Sequence, residues 1–228
     1  MKKTIATFMM LVAVTAVTMA QDTRKFSVSD FDKLSMGSAF RIEVKQGKEY
    51  SVVTSGRRED LDDLSALVKG GVLKLGYKSG GWNNNHKSVT VNITMPTLEG
   101  VDFSGASRAN VSAFTGAKQM VIEVSGASQV TMDFSAPKVT FDLSGASSLI
   151  LTGSCNVLNG EVSGASSFKG RDFSSKEVNI DASGASSAYV MASNVIHAEA
   201  SGASRVRYSG AAKDIHSSSS GASSVKRD

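Results

Sequence analysis

From residue 99 onward, apolar and polar positions alternate with a period of two. Ahead of each Ser-Gly-Ala-Ser tetrapeptide, Val101 and Phe103, Ile122 and Val124, Phe141 and Leu143, and Ile180 and Ala182 share one face, with polar residues between them. After it the alternation resumes at Ala109 and Val111, Val130 and Met132, Leu149 and Leu151, Ala188 and Val190, and Val206 and Tyr208. Period two marks a strand with one buried face. Each repeat therefore reads as strand, tight corner, strand and looser turn.

The tetrapeptide begins at Ser104, Ser125, Ser144, Ser163, Ser183, Ser201 and Ser220, at spacings of 18 to 21 residues. A near-constant period of that length means a solenoid, since no single repeat can bury its own apolar face and stacking is what covers it. Two-helix repeats need longer units, and the varying period excludes a strict hexapeptide helix. The predicted fold is mainly all-β: a right-handed parallel β-helix of about seven rungs with a small α+β N-terminal cap, the hand following the usual crossover preference. Glycine supplies a positive-φ corner. The alanine is expected to point inward where the coil is tight, and the serines to form ladders and satisfy corner amides.

The lead-in over 22–98 lacks the repeat. Alternation over 40–44 and 50–53 predicts a hairpin turning at Gln46-Gly47-Lys48. Leu61, Leu64, Leu67 and Val68, with acids ahead of them and Gly70 behind, predict a helix over 57–69. Strands follow at 72–77 and 89–95 around the polar loop 79–87. At the far end the inward slots become Ser217 and Ser219, which would blunt an exposed sheet edge.

Composition adds the compartment. Lys2 and Lys3, the apolar run from Ile5 to Val17 and the small-residue ending Thr18-Met19-Ala20 form a secretory signal. The domains are then a signal peptide over 1–20, the capping segment over 21–98 and the β-helix over 99–228. Export to the periplasm, outer surface or medium is expected, with no transmembrane segment after cleavage. Removing Lys2 and Lys3 takes the net charge from +4 to near +2, which gives no support for nucleic-acid binding. The lone Cys155 excludes an intrachain disulfide and reads as a small residue in a rung. It also lies far from the cleavage position, so N-terminal lipid anchoring is not expected.

Two groups of side chains carry candidate chemistry. Two residues before each tetrapeptide stand Asp102, Glu123, Asp142, Glu161, Asp181 and Glu199, then Ser218. Their neighbours point inward, so these carboxylates point outward, one per rung, and repel one another unless neutralised. The chemical reading is a cation stripe, with calcium favoured by oxygen-only ligands; the bland one is carboxylates paired with nearby cations or corner amides. Asn159, Asn179, His197 and His216 form a second column two positions back, read as an amide and imidazole ladder. Lys169, Tyr189, Arg207 and Lys226 make the other strand face more basic towards the C-terminus. The second group is Trp82, Asn83 and Asn84: an indole among amides offers a sugar-stacking loop, against a tryptophan folded over the adjoining sheet.

Phe31-Asp32, Val44-Lys45-Gln46-Gly47, Val72-Leu73-Lys74-Leu75, Met95-Pro96-Thr97-Leu98 and the repeated Ser-Gly-Ala-Ser together resemble the head GIN domain family of autotransporter adhesins, over essentially the whole chain after the signal. The resemblance implies a secreted β-helical protein of Bacteroidetes-type bacteria with an adhesive role, and brings no catalytic residues. No C-terminal barrel for self-secretion is expected in this chain. The expectation is a non-catalytic binding or adhesion protein whose partner is a glycan or a cell-envelope protein. An envelope assembly element, joined through the rod end, is the alternative. A polysaccharide-active β-helical enzyme is disfavoured, because its acids would cluster in a deep groove rather than stack as a ladder.

Overall fold

The computed structural model describes residues 21–78 and 86–228; the signal read over 1–20 and the loop residues Trp82, Asn83 and Asn84 lie outside them. The first strands are β1 (Asp22–Phe26), β2 (Lys33–Met36), β3 (Arg41–Gln46) and β4 (Ser51–Gly56). After the short helix α1 (Arg58–Asp62) come β5 (Leu64–Lys69), β6 (Val72–Tyr77) and β7 (Thr90–Met95). The repeat region holds β8 (Gly100–Phe103), β9 (Arg108–Phe114), β10 (Met120–Val124), β11 (Gln129–Leu143), β12 (Ser148–Val162) and β13 (Ser167–Ala182). It ends with β14 (Ser187–Ala200), β15 (Arg205–Ser209), β16 (Asp214–Ser219) and β17 (Ser224–Arg227).

These strands form a β-solenoid of about seven turns. Successive rungs pair in parallel, β10 with β8 and β11, β11 with β12, β12 with β13 and β13 with β14, in register along the strand before each corner and with register shifts after it, between Ile150 and Thr152 and between Lys169 and Ser174. The inward column Phe103, Val124, Leu143, Val162, Ala182, Ala200 and Ser219 runs the length of the rod in this register. All but Ser219 are buried, and the core thins towards that end as the side chains shrink.

Each corner shows why its residues are what they are. Gly145 has φ +74°, and a Cβ there would lie 2.5 Å from the carbonyl oxygen of Gly126 one rung away; Gly126 stands in the same relation to Gly105. A side chain is therefore excluded by conformation and by space together. The alanine, expected inward, is exposed, and the second serine takes the inward place: Ser107, Ser128, Ser147, Ser166, Ser186 and Ser204 are at most 2% exposed. Their hydroxyls can be buried because several donate to carbonyls of the previous turn, Ser147 to Val124 at 3.2 Å, Ser186 to Val162 at 3.0 Å and Ser204 to Ala182 at 2.9 Å.

The lead-in departs from expectation in two places. Residues 57–69 form only five residues of helix; β5 takes the rest and pairs antiparallel with β6, Lys69 opposite Val72. The cause is Gly70-Gly71, both at positive φ (60° and 76°), a two-residue hairpin turn whose twist suits antiparallel strands. Leu67, counted on the helical stripe, is 58% exposed. Strands β3 and β4 also form no hairpin with each other: both pair with β7, β3 in parallel and β4 antiparallel. The lead-in holds one short helix among its strands, and its strand pairing is continuous with the rod, β2 beside β8 and β3 beside β9.

Candidate functional site

The strand that precedes each corner presents two outward columns on one face. The acidic column is in register throughout: Asp102 beside Glu123, Glu123 beside Asp142, Asp142 beside Glu161, Glu161 beside Asp181, and Asp181 beside Glu199. Parallel stacking places these carboxylates about 4.8 Å apart along the rod. Asp102 is partly buried and the other five are exposed. At one end Ser35 donates to Asp102 Oδ2 at 2.9 Å, and Lys74 lies beyond it in the same register. At the other end Ser218 follows Glu199. Ser35 and Lys74 were not legible as column members, because they come from strands outside the repeat.

Two residues back, Thr140, Asn159, Asn179, His197 and His216 form the second column. The Asn179 amide donates to Asn159 Oδ1 at 2.9 Å, and the His197 and His216 rings stack with centroids 4.7 Å apart and planes 5° from parallel. The expected amide and imidazole ladder is therefore formed. The backbone of Phe141, Gly160 and Ile180 runs between the columns, and the whole is a concave groove of about 530 Å³. Gly160 is where the inward side chain is missing; the Phe141 ring occupies the space that its Cβ would need.

The acidic column runs along the rod axis. Its carboxylates are strung one per rung, and among the described residues no group of three or more His, Cys, Asp and Glu gathers to hold an ion.

A second polar cluster sits in the lead-in, invisible to sequence periodicity. Asp60, 2% exposed at its side chain, takes a two-point ion pair from Arg57 (2.7 and 2.9 Å), a contact from His86 Nδ1 at 3.1 Å and the Lys87 amide at 3.4 Å. The Arg57 guanidinium holds the Asp60 carboxyl below its ordinary range, with His86 and the Lys87 amide adding to the effect and burial opposing it. His86 also reaches Asp63 at 3.3 Å and stacks on Tyr77, centroids 3.6 Å apart. Burial, reinforced by Asp60 and Asp63, pushes the Tyr77 hydroxyl up to about 12. Cys155 is buried, donates to Ser175 Oγ at 3.4 Å, and has its thiol pKa raised by burial, the character of a core residue rather than a nucleophile.

Fold and face together define a β-solenoid with a grooved polar face. The family model described as "putative auto-transporter adhesin, head GIN domain" matches residues 30–212, and the chain belongs to that family. No curated protein sequence matches it. Among solved structures, a "putative adhesin" from Bacteroides fragilis superposes with a TM-score of 0.84 at 20% identity, covering 92% of this chain and 98% of the other. A "putative lipid binding protein" from Parabacteroides distasonis gives 0.67 at 18% identity, with 92% and 98% covered. A "putative adhesin" from Parabacteroides merdae gives 0.68 at 16%, with 92% and 97% covered. At these identities the likeness is one of fold. Among the described residues no helix is long and apolar enough to cross a membrane.

Proposed function

We propose that this chain is an exported, non-catalytic adhesion-type protein that holds an extended glycan along the grooved face of its rod. The observation that carries the reading is the groove itself, walled on one side by stacked carboxylates and on the other by amides and imidazoles at the same spacing. Sugar hydroxyls both donate and accept; carboxylates accept from them, and amides do both. A continuous carboxylate column repels anionic sugars, so the ligand class is a neutral or amino-sugar oligosaccharide. Family membership supports adhesion. A glycosidase needs two carboxyl groups in unlike environments, whereas the five carboxylates from Glu123 to Glu199 are all exposed and stacked alike, which supports binding rather than turnover. Trp82, Asn83 and Asn84 are a second proposed contact, resting on residue type alone.

A glycan array probed with residues 21–228 tests this. The expected result is binding to neutral or amino-sugar chains that strengthens with chain length up to about five units, since each rung adds an equivalent contact over about 4.8 Å. Binding confined to monosaccharides, or to acidic glycans alone, contradicts it. Trp82→Ala lowering affinity severalfold supports the loop contact, and unchanged affinity removes it.

A further inference from the structure

The strand that follows each corner carries the opposite charge near the end of the rod. Lys169, Tyr189, Arg207 and Lys226 stack in register on its outward face. Arg205 lies two residues from Arg207 on the same strand and is exposed, as are Lys169, Arg171 and Lys226. Arg171 comes from a place where the register slips between Lys169 and Ser174, and its guanidinium lies over the Tyr189 ring, 4.2 Å from the centroid. That ring contact is a cation–π pair. Stacked cations at strand spacing repel as the carboxylates do, and one anion relieves them here: the Asp228 side chain pairs with Arg171 and lies 3.9 Å from Arg207. A carboxylate of the chain itself thus sits where the guanidinium groups converge. Two guanidinium groups and a ring face make a site of the kind that takes carboxylate, sulfate or phosphate oxygens; Lys169, on the same strand as Arg171, and Lys226, one rung beyond Arg207, enlarge it.

We propose that this basic stretch, around Lys169, Arg171, Arg207 and Lys226, is a second binding site, which takes an acidic polysaccharide bearing sulfate, phosphate or carboxylate groups and exchanges it for the Asp228 carboxylate. The rod then offers one face to uncharged or amino sugars and the adjoining face to acidic ones. Charge separates the two: a polyanion is repelled from the acidic column and drawn to the basic one. The site is independent of the groove, so either can fail without the other.

The test is titration of residues 21–228 with heparin oligosaccharides at low ionic strength by calorimetry. The parent is expected to bind, with affinity falling steeply as salt screens the contacts. Lys169→Gln with Lys226→Gln, both exposed, is expected to weaken binding on the order of tenfold, and adding Arg207→Gln to weaken it further. Asp142→Asn with Glu161→Gln on the other face leaves binding equal or tighter. Asp228→Asn is expected to tighten binding severalfold by removing the resident carboxylate; unchanged affinity contradicts the exchange. Absence of heparin binding at low ionic strength, or equal binding by a lysine variant whose melting temperature matches the parent, overturns the site. Stronger binding to phosphatidylglycerol vesicles than to heparin through the same residues overturns the assignment to a polysaccharide.

Discussion

Phe141 and Gly160 share one space in the core beneath the groove. Phe141 is 2% exposed and packs on Phe168, centroids 4.3 Å apart, with its ring lying where a Cβ on Gly160 would be. Truncating Phe141→Ala should cost about 3–5 kcal/mol, and Gly160→Ala about 1–3 kcal/mol by overpacking. In the double variant the new methyl group enters the space that the ring vacates, so the two costs should not add. Denaturant melts of all four proteins measure this, and strict additivity means that the two residues do not compete for the same space. At the corner, Gly145→Ala should destabilise clearly more than the exposed Ala146→Ser, which should stay within about 0.5 kcal/mol.

At the scale of elements, the repeat strands were legible because their signal is local: period two, a fixed corner and a constant spacing. The acidic column and its outward direction follow from that alternation alone. What the sequence hid is long-range. Leu61, Leu64, Leu67 and Val68 fit a helix until β6 offers β5 a strand edge across Gly70-Gly71, and Arg41–Gln46 alternates whether its neighbour is β4 or β7. The inward serine was misread because buried hydroxyls are costly without partners, and the partners come from another turn.

The Asp60 cluster, equally non-local, makes a pH prediction for the lead-in. A carboxyl lowered in the folded state stabilises it fully above the unfolded value, near 4. That contribution is lost as pH falls through the lower folded value. Thermal melts should therefore show the parent losing stability over this acid range, and Asp60→Asn should be about 1–3 kcal/mol less stable at neutral pH while losing less on acidification. Parallel losses in both proteins contradict the role assigned to Asp60.

For the whole molecule, stacking six like charges along one face has a cost that the rod must absorb. Neutralising the middle of the column with Asp142→Asn and Glu161→Gln removes repulsion without changing shape, so melts at low salt should show equal or greater stability than the parent, and the difference should shrink as salt is added. Lower stability means that these carboxylates are individually paired. The chain's ends carry their own expectation: mass spectrometry of exported protein should find the N-terminus at Gln21, and retention of Met1 contradicts the signal reading.

The central claim is that ligand lies in the groove between the acidic and the amide columns. Thr140 is exposed and belongs to the amide column, whereas Thr131 is exposed on the adjoining face. Array binding by Thr140→Trp, with Thr131→Trp as its control, tests the claim most directly, because a ring at residue 140 fills the groove while every carboxylate of its wall is kept. Loss of glycan binding in Thr140→Trp alone is the predicted result, and full binding by a folded Thr140→Trp protein contradicts it.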